Sequence, residues 1–261
     1  MHFLVVGRGW TGKKVFNELI RRNHIVTLCS HTDAIDLLAI NEFDWVVNCA
    51  GKTGSPNVDA CELNKQETIE ANAIFPALLA DAVKGAPGYM TRLAHFSSGC
   101  IYTGNIDAID AAPNFFGSTY SISKGVSDVY LGDKAQVYRI RMPFTGVNEP
   151  KNYLTKVYNY AKNGKLIEAG LNSLTDLDEA VSVACSLMEN HEPNGYYNLV
   201  NQGSINMHEL AALMGIIPKW FTQEEFRAAT VAARSTCTIP AFAGMSNLQD
   251  ALKQALSTIK F

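Results

Sequence analysis

Short apolar runs alternate along the chain with stretches in which hydrophobic residues return every three or four positions. The runs His2–Val6, His24–Cys29, Asp44–Asn48, Arg92–Ser97 and Gln136–Arg141 have the length and character of buried strands. The helical period marks Gly12–Arg22, Thr68–Val83, Thr119–Leu131, Pro150–Lys162, Leu177–Met188, Met207–Met214 and a last stretch near Asn247–Thr258. Strands taking turns with helices predict an α/β fold, a doubly wound, Rossmann-like parallel sheet covered on both faces. After Met142-Pro143 the alternation loosens. The pattern predicts a sheet domain of residues 1–143 plus about 173–190, with a small interleaved C-terminal lobe of residues 144–172 plus 191–261.

Composition narrows the class. The chain has 261 residues, 47% hydrophobic and 18% charged, enough for one sizeable core or one plus a small lobe. Twenty-two basic against 25 acidic residues leave a net charge of -3 with no long run of either sign, which argues against nucleic acid as a partner. No apolar stretch reaches the roughly 18 residues that cross a membrane, and the N-terminus shows no basic region or cleavage site. A cytoplasmic protein is expected. None of the six cysteines forms a Cys-x-x-Cys pair and the six histidines are scattered, so free, mostly buried thiols and no metal site are expected.

Candidate chemistry begins at Gly7-Arg8-Gly9-Trp10-Thr11-Gly12, a G-x-G-x-x-G that closes the first strand and opens a helix. In that context Gly7 permits a tight turn, Gly9 admits a pyrophosphate to the backbone, and Gly12 lets helix and strand pack closely. The helix N-terminus presents free N–H groups to phosphate. This makes the sheet domain a dinucleotide-binding domain. The second strand ends at Cys29-Ser30-His31, without the acidic residue that holds the ribose of NAD. Arg8 and Ser30 suit a 2′-phosphate, which predicts NADPH. Asp33 and Asp36 stand close enough to keep NADH open.

Tyr120-Ser121-Ile122-Ser123-Lys124 is Y-x-x-x-K, which puts phenol and ammonium on one helical face. Lys124 is expected to lower the pKa of Tyr120 and so ready it for proton exchange with a carbonyl. Tyr130–Lys134 and Tyr158–Lys162 share the spacing, but the first straddles Gly132-Asp133 and the second follows the fifth strand. Ser98, just past the fourth strand, is the candidate hydroxyl for the same carbonyl, with Ser97 as the alternative.

These motifs resemble the extended short-chain dehydrogenase/reductase family, in its sugar-nucleotide branch. The likeness is greatest to the bifunctional 3,5-epimerase/4-reductases of UDP-L-rhamnose synthesis, also found as the C-terminal part of plant rhamnose synthases. It is carried by Val47-Asn48-Cys49-Ala50-Gly51-Lys52-Thr53-Gly54-Ser55-Pro56-Asn57-Val58-Asp59, Ser98-Gly99-Cys100-Ile101-Tyr102 and Pro113-Asn114-Phe115-Phe116-Gly117-Ser118-Thr119-Tyr120. Arg139-Ile140-Arg141-Met142-Pro143, Asn152-Tyr153-Leu154-Thr155-Lys156 and Ala233-Arg234-Ser235 add to it. The family's hydroxyl is often Thr where this chain has Ser98, the glycine loop is one residue shorter than in near relatives, and the likeness is lost after Arg234.

The resemblance implies Ser98, Tyr120 and Lys124 for reduction, Cys100 and Lys156 for epimerisation, and the turn Asn48, Ala50, Gly51 beside the cofactor. The implied reaction converts a nucleotide-linked 4-keto-6-deoxyhexose to UDP-L-rhamnose with NADPH. Which of Cys100 and Lys156 is base and which acid stays open, as does UDP against dTDP or GDP. Arg234 is the candidate for the diphosphate, and Asn57, Asn114 and Asn152 for the sugar or nucleotide, each equally suited to a turn or cap. A nucleotide sugar is the expected partner, and a homodimer is left open. Two competing readings are a reductase without epimerase activity, like the dTDP-4-dehydrorhamnose reductases, and a catalytically silent NADP-binding regulatory subunit.

Overall fold

The computed structural model describes residues 1–87, 90–167 and 170–261. Residues 168 and 169, within the expected second lobe, lie outside the described residues. The strands are β1 (His2–Val6), β2 (Ile25–Cys29), β3 (Trp45–Asn48), β4 (Arg92–Ser98), β5 (Gly104–Asn105), β6 (Gln136–Ile140), β7 (Pro143–Phe144), β8 (Thr175–Asp176), β9 (Gly195–Asn198) and β10 (Cys237–Thr238). Six of them form one sheet in the order β2-β1-β3-β4-β6-β9, every pair parallel. The strand order reverses beside β1, the point where an open sheet of this kind leaves a crevice outside its carboxyl ends.

The apolar runs are strands because both faces of each are covered. Along β1, Phe3 and Val5 face a core shared with Val15, Leu19 and the helix Leu177–Glu189. Leu4 and Val6 face the opposite core, with Leu38, Leu79 and Val83. All four are fully buried, each worth roughly 1.5–3 kcal/mol. A third apolar cluster joins Phe144, Leu154, Leu174 and Leu210 to Leu248 and Leu252, outside the sheet.

Register aligns the strand ends. Val6 pairs with Cys29 on one side and Asn48 on the other, and Ser98 pairs with Ile140. Gly7, Ser30, Asn48, Ser98 and Arg141 therefore lie along one edge.

The structure departs from the expected pattern in several places. Gly195–Asn198, assigned from sequence to the second lobe, is the sixth strand of the main sheet, paired with β6. Its four residues are too few and too polar to register as an apolar run. Short helices at Ala34–Ile40, Asp59–Leu63 and Gln223–Ala229 were not expected. The stretch Thr68–Val83 is not one regular helix: a π turn, Glu70–Ile74, stands between α-helical segments, and the Phe75 N–H bonds to the Glu70 carbonyl. Among the described residues, no helix is long and apolar enough to cross a membrane.

Candidate active site

The glycine loop is shaped by steric exclusion. Gly7 has φ +109°, and a Cβ there would stand 2.7 Å from the Ala50 nitrogen. At Gly12 a Cβ would meet the Gly7 carbonyl oxygen at 1.8 Å, so only glycine lets the helix Trp10–Arg21 start this close to β1. Gly9 is the reverse: nothing lies within 4 Å of its missing side chain. Gly9 caps the helix without a side-chain bond, leaving first-turn N–H groups such as those of Trp10 and Thr11 for an outside acceptor. These residues fit a pyrophosphate. The Trp10 ring itself packs against the core.

At the end of β2, Ser30 donates its hydroxyl to Asp33 at 2.6 Å, and Thr32 donates to the same carboxylate. Those hydroxyls, with the Arg8 charge nearby, hold Asp33 below the usual carboxylate range. Arg8 is exposed. Asp33, one of the two acidic residues that keep NADH open, thus does reach the strand end. At the end of β3, Asn48 is buried, accepts the Ala50 N–H at 3.0 Å and donates to His95 Nδ1 at 3.1 Å. Burial and the nearby Lys124 charge keep His95 neutral.

Tyr120 and Lys124 ride on the helix Thr119–Leu131, which begins with a capping box between Ser118 and Ser121. The Tyr120 phenol lies close to the Ser98 hydroxyl, and burial pushes its pKa up, with Cys100 adding to the effect. The expectation that Lys124 lowers the Tyr120 pKa is therefore corrected. Lys124 is itself buried, donates to the Phe96 carbonyl at 3.2 Å and is pushed down to about 8 by burial. Its charge bears on Asp128 and Cys49 instead. A Cβ on Gly51 would stand 3.3 Å from Lys124 Nζ, so the ammonium sits directly behind the Asn48–Gly51 turn. Ser97, the alternative hydroxyl, points the other way and donates to buried Asp128 at 2.7 Å.

Ser98 also accepts the Cys100 N–H at 3.1 Å, capping a short turn, Gly99–Ile101. Cys100 is half-buried, and its sulfur accepts from Arg141 Nη1 at 3.5 Å. Tyr153 lies where it feels both Arg141 and Cys100, and burial pushes its phenol up to about 12. Tyr153 opens the helix Tyr153–Asn163, one turn before Lys156. The Lys156 ammonium makes no hydrogen bond or ion pair among the described residues, and burial lowers its pKa, with Lys151 adding to the effect.

The other candidates are occupied within the protein. Asn152 is fully buried; it accepts the Leu154 N–H and donates to the Thr145 and Val147 carbonyls, so its assignment to substrate is corrected to a helix cap. Asn57 accepts the Asp59 N–H and donates to Tyr160, and Asn114 brackets the Thr103 backbone at 2.8 and 3.1 Å. Arg234 is ion-paired with Asp59 at 2.9 Å and donates to the Ala232 carbonyl.

Sequence reasoning missed two residues. Asn72, fully buried in the π turn, accepts the Lys52 N–H, donates to the Lys52 carbonyl and donates to Ser123 beside Lys124. Arg141, quoted only as part of a motif, is buried at 1% exposure against Cys100. No periodicity marks either; a buried arginine beside a cysteine is visible only in three dimensions.

Known proteins share this arrangement of chain. An Arabidopsis thaliana trifunctional UDP-glucose 4,6-dehydratase/UDP-4-keto-6-deoxy-D-glucose 3,5-epimerase/UDP-4-keto-L-rhamnose-reductase is 35% identical over 73% of this chain, which spans only 30% of that protein. An Arabidopsis bifunctional dTDP-4-dehydrorhamnose 3,5-epimerase/dTDP-4-dehydrorhamnose reductase is 32% identical, over 83% of this chain and 75% of the relative. The crystal structure of the L780 UDP-rhamnose synthase from Acanthamoeba polyphaga mimivirus superposes with a TM-score of 0.86 at 22% identity, covering 99% of both chains. Residues 1–248 match the family described as the RmlD substrate binding domain, and the chain belongs to that family, on the fold of the extended short-chain dehydrogenases/reductases.

Proposed function

We propose that the chain is an NADPH-dependent 3,5-epimerase/4-reductase that converts UDP-4-keto-6-deoxyglucose to UDP-L-rhamnose. One observation carries the reading: the Ser98 hydroxyl lies close to the Tyr120 phenol and accepts the Cys100 backbone N–H. A hydroxyl for a carbonyl oxygen and a thiol for the carbons beside it thus sit two residues apart on one short turn, with the proton-donating phenol facing the hydroxyl. The Arabidopsis relatives' names support a sugar nucleotide as substrate.

Hydrogens on carbons 3 and 5 of a 4-keto sugar are acidic because the electron pair can pass to oxygen 4. Ser98 and Tyr120 would hold that oxygen by hydrogen bonds as negative charge develops on it. Cys100 and Lys156 serve as the base and acid that invert each carbon. Bound NADPH supplies the hydride for carbon 4. Tyr120, kept protonated by burial, gives oxygen 4 its proton. Lys124, behind the Asn48–Gly51 turn, would hold the cofactor's ribose, and Arg8, Gly9 and the first helical turn would hold its phosphates. On this reading the protein works in the cytoplasm on a nucleotide sugar.

The test supplies UDP-4-keto-6-deoxyglucose and NADPH in deuterated water. Expected are NADPH consumption, a product with the ring couplings of L-rhamnose, and deuterium at carbons 3 and 5. Consumption only with an already epimerised 4-keto sugar would leave a reductase. No consumption with any UDP-, dTDP- or GDP-linked 4-keto-6-deoxy sugar would end the reading.

A further inference from the structure

Two arginines leave β6 on the same side, and their charges are answered differently. Arg139 is paired with the buried carboxylate of Asp128. Arg141, equally buried, has no carboxylate partner among the described residues. Its Nη1 donates to the Gly99 carbonyl at 3.1 Å and its Nη2 to Asn172 Oδ1 at 2.6 Å and the Ser235 carbonyl at 2.9 Å. All are neutral oxygens, and Nε has no hydrogen-bond partner among the described residues. A buried guanidinium without an anion is an expensive arrangement. The remaining contact is Nη1 to the Cys100 sulfur at 3.5 Å.

We infer that Arg141 is a positioning residue for Cys100: it fixes the sulfur beside Tyr120 and balances the negative charge that the sulfur carries whenever it is without its proton. The other ionisable groups that feel Arg141 do not fill that role. Burial holds Tyr120 and Tyr153 as phenols and pushes Cys237 up to about 11, and the Cys237 thiol donates to the Gly99 carbonyl.

The catalytic part of the inference rests on the epimerase reading. When the sulfur acts as base, the C–H bond of carbon 3 or 5 breaks, an S–H bond forms and the electron pair passes to oxygen 4. When it acts as acid, the S–H bond breaks, the proton goes to carbon and the thiolate left behind faces Arg141. In either direction the charged sulfur has a fixed partner that needs no rearrangement.

Alkylation of Cys100 by iodoacetamide, followed at about pH 7 by peptide mass mapping, tests the relation without any sugar. Because the thiolate is the species alkylated, Arg141→Met is expected to slow the reaction about tenfold or more, with Arg141→Lys closer to wild type. Asn172→Asp keeps the guanidinium but gives it a carboxylate, and is expected to slow alkylation as well, which carries the test if Arg141→Met fails to fold. Wild-type rates in both Arg141→Met and Asn172→Asp would overturn the inference. With the sugar, deuterium exchange at carbons 3 and 5 should fall about tenfold or more in Arg141→Met while reduction of an already epimerised substrate stays within about threefold. Equal loss of both would reduce Arg141 to a structural role. If wild-type protein exchanges no deuterium, the epimerase reading fails, and the alkylation contrast still decides whether Arg141 governs the sulfur.

Discussion

The Ser98 hydroxyl accepts the Cys100 N–H at 3.1 Å, so the side chain that faces Tyr120 also fixes the turn carrying the thiol. Ser98→Ala is therefore expected to damage both halves of the reaction. Reduction should fall about 100-fold or more through loss of the hydrogen bond to the carbonyl oxygen. Stability should drop by about 1 kcal/mol through loss of the cap. Ser98→Thr should retain most of each. Rates of NADPH oxidation and of deuterium incorporation, measured on one preparation, check this. An alanine variant with normal exchange would uncouple Cys100 from Ser98.

Lys124 is buried and held at about 8. Below that pH the folded protein carries a buried ammonium; between about 8 and its ordinary 10.5 the unfolded chain still holds a proton that the folded one has released. Burial of Lys124 thus costs stability at neutral pH, and the cost eases as pH rises through that window. Lys124→Met is expected to stabilise the fold by about 1–3 kcal/mol at pH 7, less at pH 10, while reduction falls about 100-fold or more. In the wild type, reduction should decline above about pH 8 as the ammonium is lost. Thermal melts at the two pH values, with a pH–rate profile, test both; a destabilised methionine variant would contradict the account.

Asp33 takes the Ser30 and Thr32 hydroxyls and lies near Arg8. Asp33→Ala should free Ser30 and Arg8 for a 2′-phosphate, lowering KM for NADPH and raising it for NADH, each by about threefold to tenfold. Steady-state kinetics with the two cofactors decide the matter. Unchanged ratios would remove this cluster from cofactor choice.

Asp128 accepts from Arg139 Nε at 3.0 Å and from Ser97 at 2.7 Å, all three buried. Asp128→Asn leaves a buried guanidinium without its anion and is expected to cost about 3–5 kcal/mol, read by urea denaturation. The Tyr196 ring, 3.8 Å from the guanidinium carbon, remains to soften the loss. A change below about 1 kcal/mol would show that the ring and the Ile109 carbonyl suffice for Arg139.

Local constraints were legible in the sequence and long-range ones were not. The glycine loop could be read because Gly7 and Gly12 satisfy steric demands that act within a few residues. Tyr120 and Lys124 could be paired because helical spacing alone puts them on one face. The direction of the Tyr120 shift could not be foreseen, since it depends on how deeply the ring is covered and on Lys124 turning to the Phe96 carbonyl. Asn152 read equally well as a sugar ligand or a cap until its neighbours at 145 and 147 were placed. Arg141 escaped notice because arginine is ordinarily a surface residue, and only its burial against Cys100 gives it meaning. β9 was missed because four residues of Gly-Tyr-Tyr-Asn hold their place through pairing with β6, not through an apolar pattern of their own.

The π turn at Glu70–Ile74 works as slack in an otherwise continuous rod. Such a turn absorbs one residue more than an α turn without changing the phase of the helix beyond it. Phe75, Leu79 and Val83 therefore stay aimed beneath the sheet, while the bulge carries Asn72 to the Lys52 backbone. Shortening that turn by a single residue should leave the apolar underside seated and withdraw the clamp from the crevice. Activity could then be lost by a deletion that a folding assay barely notices.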